Sequence, residues 1–270
     1  IPMFAKAGAA VTLCDRKKAE AFGPYAEELA QLGVRLFLGD DYLNGLAGQD
    51  MILRTPGFEF FTPELQAAGR NGAHLTSEME LFFDFCPCRI AAVTGSDGKT
   101  TTTSLMAAIY AAAGRTVHLG GNIGRPLLPI VDKIMPEDMA VVELSSFQLI
   151  SMRRSPDIAV VTNVTPNHLD HHKDMQEYVD AKRNILLYQS PESLAVLGYE
   201  NEISRAMEKD ALGECRFFSR LRPLESGAFL RADGMLCLAG PLGVTPAVEM
   251  RLVALRGLHN LEHVLASFSA

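Results

Sequence analysis

No apolar run in this chain of 270 residues approaches the ~20 needed to cross a bilayer. The first residues also lack the charged start, apolar block and small-residue cleavage site of an export leader. Together these absences predict a cytoplasmic protein with no membrane partner. Cysteine is scarce: Cys14, Cys86, Cys88, Cys215 and Cys237 form an odd, scattered set that argues against a disulfide framework and for a reducing compartment. Cys86-Pro87-Cys88 is too closely spaced for a CxxC site. Excess basic charge is missing too. The formal net charge is −7, whereas non-specific nucleic-acid binding rests on Lys and Arg neutralising phosphates. There is no internal repeat or low-complexity segment. What remains is a globular chain, 48% hydrophobic, able to build sizeable cores, with a length that suggests about two domains.

Along the chain, short apolar strands alternate with helices. Residues 1–10 read as a helix tail, 9–14 as a strand ending at Asp15, 25–32 as a helix, 34–38 and 51–54 as strands, and Thr55-Pro56-Gly57 as a turn. A helix from Thr62 or Pro63, a strand at 73–75 and a helix at 78–85 complete a first domain, 1–88, which reads as an incomplete Rossmann-like unit. A first strand and glycine turn of that fold would lie upstream of residue 1. The second domain, 89–257, opens with a strand at 89–93 and continues with helix 99–113, strand 116–119, helix 126–134 and strands 139–142 and 158–161. Strands without clean alternation, separated by helices, predict a mostly parallel sheet covered on both faces. From Cys215 onward four short strands, 215–218, 228–231, 235–238 and 248–254, suggest an antiparallel edge or small subsheet. Residues 258–270 read as the start of a further domain.

The stretch Val93-Thr94-Gly95-Ser96-Asp97-Gly98-Lys99-Thr100-Thr101 reads as strand, glycine turn and helix start, the form of a phosphate cradle. In that reading the turn from Gly95 to Thr101 holds the nucleotide, Lys99 reaches the β- and γ-phosphates, and the Thr100 hydroxyl sits on Mg²⁺. The pattern is short of the usual form, because Val93 stands where an early glycine is expected. Glu143 emerges from a buried strand into Leu144-Ser145-Ser146-Phe147-Gln148, where it serves either a metal or a helix cap. Asp15, at another strand end, serves either a ribose or a strand-end cap. His168, Asp170, His171 and His172 invite a zinc reading, but their spacing is not that of a zinc site. His171 and His172 read as a solvated face, leaving His168 as the candidate. By itself Lys182, on a helix, reads as a surface charge.

In combination and order, these segments resemble the Mur ligases, ATP-dependent amide-forming enzymes of bacterial cell-wall precursor synthesis. The resemblance rests on Thr94 to Thr102, Gly121-Asn122-Ile123-Gly124, Glu143 to Gln148, Asn163 to Asp170, Ala181-Lys182 and Gly257-x-His259-Asn260. Within the family, the Glu143 to Leu149 and Gly121 to Gly124 segments are similar to those of the member that joins D-glutamate to UDP-N-acetylmuramoyl-L-alanine, and Thr55-Pro56-Gly57 to its UDP-side turn. The resemblance covers essentially the whole chain, from the middle of the family's first domain to the start of its third.

It implies ATP and two Mg²⁺ ions, with Thr100 and Glu143 on the first ion and His168 on the second. It implies Lys182 as a CO₂ adduct, a carbamate helping to place the second metal, and so gives catalytic roles to Lys99, His168 and Lys182. Asn122, Ser145 and His168 match substrate positions, as do Asp15 and Thr55 in the first domain, and Asn260 matches a residue near the adenine. Two departures stand out: Asp97 replaces an asparagine, adding charge near the nucleotide or capping the helix, and His263 replaces a second asparagine near the adenine. The implied chemistry is phosphorylation of a substrate carboxylate and attack by the D-glutamate amine, in a monomer whose third domain closes over the site. The alternatives are another Mur-type or folylpolyglutamate-type ligase, or a nucleotide-binding module that makes no amide.

Overall fold

Proline opens three helices of the first half, α1 (Pro2–Lys6), α2 (Pro24–Gln31) and α3 (Pro63–Arg70), where its fixed φ suits the first turn and no hydrogen bond is lost. The computed structural model describes residues 1–167 and 172–270; they divide into two compact units, Ile1–Ser77 and Glu78–Ala270. In the first unit, β1 (Thr12–Asp15) pairs in parallel with β2 (Arg35–Leu38), and β3 (Met51–Arg54) with β4 (His74–Ser77). The helices α2 and α3 make the crossovers that parallel pairing requires. Leu46, Ile52, Leu65 and Ala68 form a small core there.

The second unit runs α4 (Glu78–Phe85), β5 (Arg89–Thr94), α5 (Lys99–Ala112), β6 (Val117–Gly121), β7 (Met139–Glu143), α6 (Ser146–Leu149), β8 (Ile158–Val161), α7 (Met175–Leu187) and β9 (Leu194–Gly198). It continues with α8 (Glu202–Ala206), β10 (Glu214–Ser219), β11 (Gly227–Leu230), β12 (Met235–Gly240), β13 (Gly243–Glu249) and α9 (Leu258–Ser269). One nine-stranded sheet results, in the order β13-β12-β11-β10-β9-β8-β5-β7-β6. It is parallel from β6 to β11 and antiparallel from β11 through β13. Ala91, Val93, Val141, Ile158, Val160 and Val196 pack with Met106 of α5 and with Val264 and Leu265 of α9. The intervening Ala92, Val142, Ala159, Val161 and Ala195 are fully buried as well. Successive strand side chains point to opposite faces, and α7 covers the second face with Tyr178, Ala181, Ile185 and Leu186. The α/β class and the parallel sheet are those the sequence led us to expect.

Several elements differ from expectation. The units divide after Ser77, ahead of the Cys86–Cys88 boundary, because α4 and its carboxylates work for the second unit: Glu78 accepts from Leu128 N and Glu80 from Arg153 N. Residues 258–270 belong to that unit, with Leu261, Val264, Leu265 and Ala266 of α9 buried. β9 is a strand beyond those expected, and its Leu194, Ala195, Val196 and Leu197 are all buried. The 126–134 helix is a 3-10 segment, Leu128–Lys133. β10 and β11 join the main sheet in parallel. The last strand lies at Gly243–Glu249, not 248–254, since it pairs with β12 across the Pro241-Leu242 turn. As an edge strand with exposed residues from Gly243 to Ala247 it has no apolar pattern to read. Its Pro246 stands opposite Cys237, where the register shifts. Among the described residues no helix is long and apolar enough to cross a membrane.

If α9 is integral to the core, truncating Leu265, which is fully buried, to alanine costs about 2–5 kcal/mol in urea unfolding. A cost near zero would mean that the helix stands apart from the unit.

Candidate active site

From β5 the chain builds β6 and β7 on one side and then crosses to β8 and β9 on the other. The carboxyl end of β5 is thus the switch point of the sheet, where open α/β folds form their ligand crevice. Two glycines make the turn possible there. Gly98 caps α5 in the left-handed region, φ +77°, and a Cβ on it would overlap the His263 ring of α9. Gly95, at φ +150°, would in the same way overlap Thr162 Oγ1.

Hydrogen bonds hold the turn against the segment after β8. Ser96 N donates to Asn163 O at 2.8 Å, and Ser96 Oγ bonds to Thr165 O at 2.9 Å and Tyr178 OH at 3.0 Å. Asp97 N donates to Asn163 Oδ1 at 3.0 Å, while Thr162 Oγ1 donates to Asp97 O at 2.7 Å. Ser96 is buried and acts as a suture. The Asp97 residue is exposed and supplies no cap, since α5 is capped by Gly98 without a side-chain bond; of its two readings only the added charge remains.

The strand-end carboxylate Glu143, 2% exposed, links the start of α5 to the segment after β6. Its Oε2 accepts from Thr100 Oγ1 at 2.7 Å and its Oε1 from Asn122 Nδ2 at 2.8 Å. Asn122 is fixed further by its N–H on Glu143 O. Thr101 follows in the first turn of α5, half-buried. Lys99 Nζ folds back to Gly95 O and Ser96 O, 3.0 Å from each. From the opposite face Lys182 Nζ donates to the same Gly95 oxygen at 2.8 Å and lies 4.5 Å from the Tyr178 ring centre. Lys182 is 1% exposed, which corrects the surface-charge reading that its position alone suggested. Burial first, and the neighbouring Lys99 charge second, push its pKa down to about 7.

Of the other candidates, Ser145 is occupied as the N-cap of α6, in a capping box with Gln148. Asn260 Nδ2 donates to Arg256 O at 2.6 Å; one turn on, His263 is the residue that meets the phosphate turn. The His263 ring is buried at 7% exposure, and desolvation lowers its pKa. In the first unit, Asp15 ends β1 and accepts from Lys17 N at 2.8 Å, a strand-end cap, and Thr55 follows β3 with its carbonyl accepting from Phe58 N. His168, Asp170 and His171 lie outside the described residues. His172 does not belong to a solvated face: it is buried, bonded to Ser146 Oγ at 2.9 Å and Glu177 Oε1 at 3.1 Å, and stacked on Phe147. Sequence reasoning missed Tyr178 and Thr162. Tyr178 carried a signal, standing four residues before Lys182 and so on the same helical face.

A nine-stranded, largely parallel sheet with a glycine turn leading from the strand at its switch point into a helix defines an α/β protein of the P-loop type. Residues 93–220 match the Mur ligase middle domain. The chain is 46% identical over 270 residues to a UDP-N-acetylmuramoylalanine–D-glutamate ligase of Clostridium kluyveri, covering 100% of this chain and 58% of that protein. To the protein of the same name in Acetivibrio thermocellus it is 45% identical over 263 residues, covering 97% and 56%. Among solved structures, the UDP-N-acetylmuramate:L-alanyl-gamma-D-glutamyl-meso-diaminopimelate ligase from Neisseria meningitides is similar in fold, with a TM-score of 0.56 at 18% identity over 98% of this chain and 86% of that one. The chain is thus similar to Mur ligases along essentially its whole length, and it spans less than two thirds of the length of the curated relatives it matches.

Two outcomes follow from the geometry. Gly98→Ala costs stability both through its positive φ and through collision with His263, so in thermal unfolding the loss is larger by about 1 kcal/mol in the wild type than on a His263→Ala background; equal losses would remove the contact. Lys182 has a folded pKa of about 7 against an ordinary 10.5, so between these values the unfolded chain binds more protons than the native one. Its favourable contribution is complete above the higher value and is lost as pH falls through the lower. The stability gained by Lys182→Met over the wild type is then greater at about pH 6 than at about pH 9, by on the order of a few kcal/mol, as urea titrations at the two pH values would show.

Proposed function

We propose that the chain carries the ATP-binding centre, and part of the UDP-substrate-binding domain, of a cytoplasmic, monomeric bacterial ligase that adds D-glutamate to UDP-N-acetylmuramoyl-L-alanine in peptidoglycan precursor synthesis. The observation that carries this reading is the convergence of Thr100, Asn122 and Glu143 at or just past the carboxyl ends of adjacent strands, beside a phosphate turn whose Gly95 oxygen receives both the half-buried Lys99 and the buried Lys182. The names of the 46% and 45% identical relatives support the choice of substrates.

The residues present suit a hard cation. A threonine hydroxyl and a carboxylate 2.7 Å apart are oxygen donors of the kind Mg²⁺ takes. Among the described residues no three His, Cys, Asp or Glu side chains converge on a metal position. That suits an ion held by one or two protein oxygens, with phosphate oxygens and water completing its shell. When bound, Mg²⁺ and ATP supply charge neutralisation and the phosphoryl group that activates the substrate carboxylate as an acyl phosphate, from which the D-glutamate amine displaces phosphate.

The protein's own part is positional and electrostatic. Lys99 exchanges the Gly95 and Ser96 carbonyls for phosphate oxygens, and the α5 amino end presents its free N–H groups to the same anion. Thr100 and Glu143 hold a first ion and His168 a second. Asn122 and Ser145 face the substrate, Asn260 lies near the adenine, and Asp15 and Thr55 serve the UDP moiety. Lys182 works as a carbamate. The unprotonated amine is the form that adds CO₂, and a pKa near 7 makes it plentiful at neutral pH. Addition replaces a cation beside Lys99 with an anion, reversing an unfavourable interaction.

In the full-length enzyme, ADP release should require both UDP-N-acetylmuramoyl-L-alanine and D-glutamate; release with neither, or with another amino acid, would overturn the assignment. Lys99→Ala should reduce turnover by at least about 10³-fold without unfolding. Lys182→Ala should lose most activity and recover part of it with added acetate, and a fully active variant would return Lys182 to a structural role.

A further inference from the structure

Cys86 and Cys88 play no part in the proposed ligase chemistry, yet they form the only sulfur pair in hydrogen-bond contact among the described residues. Cys86 closes the last turn of α4, its N–H on Phe82 O at 2.8 Å, and Cys88 precedes β5. Pro87 between them restricts the backbone, and residues two apart on an extended segment project the same way. Their sulfurs lie 3.5 Å apart. The two are unequal: Cys86 is half-buried, whereas Cys88 is 6% exposed. We propose that Cys86 and Cys88 are a redox-active dithiol, at which a low-molecular-weight disulfide is reduced to two thiols while an internal Cys86–Cys88 disulfide forms.

The geometry assigns the roles. Although the Cys86 S–H also lies within reach of Cys88 O and the Cys88 S–H of Arg89 O, Cys86 is the nucleophile, because it is reachable from solvent and can accept in the Sγ–Sγ contact, where either thiol can donate. That hydrogen bond pulls the Cys86 thiol below its usual pKa, against the opposing effects of burial and of Asp157 and Asp138. The same bond, with burial, raises Cys88. The Cys86 thiolate attacks one sulfur of the small disulfide; its S–S bond breaks, and one thiolate leaves and takes up the proton that Cys86 gave away. Cys88 then loses its proton and attacks the Cys86 sulfur, displacing the second small thiolate, which takes that proton. Once Cys86 is in the mixed disulfide it no longer accepts the Cys88 proton, so a main cause of the raised Cys88 value is gone when Cys88 must react. The product closes the turn between α4 and β5, the strand that ends at the phosphate turn.

The experiment treats the full-length protein in its native state with oxidised glutathione, alkylates it under denaturing conditions, and digests it with trypsin without reduction. The peptide Asn71–Arg89 contains both cysteines and neither Lys nor any other Arg before its end. In the wild type it should appear unalkylated and lighter than the dithiol by two hydrogens. In Cys88→Ser it should carry one glutathione on Cys86, formed roughly tenfold faster than on Cys14, whose thiol burial raises. A wild-type peptide alkylated at both cysteines, one that retains glutathione, or a Cys88→Ser peptide without an adduct would each overturn the proposal.

Discussion

One backbone oxygen, that of Gly95, receives two lysine ammonium groups, Lys99 from the turn and Lys182 from the opposite face of the sheet. Two like charges held this close in a poorly hydrated site repel, and the protein resolves the conflict by displacing the equilibrium of one of them. Lys182, the more deeply buried, gives way. The arrangement depends on Gly95 leaving room for Thr162, and on Tyr178 touching both the Ser96 hydroxyl and the Lys182 charge. Around that oxygen the phosphate turn, the segment after β8 and helix α7 become one electrostatic unit.

Much of this was legible in the sequence because it follows from local chemistry. Buried parallel strands declare themselves as apolar runs, and a strand, glycine turn and helix in succession announce an anion site. Glu143 was identifiable because a carboxylate at the end of an apolar strand is costly unless it is used. The less legible features depend on residues far apart in the chain. His263 meets Gly98, and Thr162 meets Gly95, only because α9 and β8 are brought to the turn by the fold. The burial of His172 arises from Ser146 and Phe147, a separate segment. β9 was missed because a short apolar run carries no period that separates strand from helix, and β13 because an exposed edge strand carries no hydrophobic pattern.

The two departures from the family pattern have different physical meanings. Asp97 places a carboxylate on the solvent side of a turn that otherwise offers N–H groups and cations. His263 fills space: its ring occupies the volume a side chain at residue 98 would need, and it pairs edge-on with His259. Any group approaching the turn from α9 therefore meets an aromatic, partly desolvated surface instead of an amide.

The far edge of the sheet has a separate consequence. β13 exposes an extended backbone with Leu242 and Val244 uncovered beside it, the sort of rim onto which the strand of another molecule can add itself. Pro246 removes one of the N–H groups that such an addition needs, and the register shift opposite it bends the ladder. At this margin a single imino acid therefore works against the addition of a further strand.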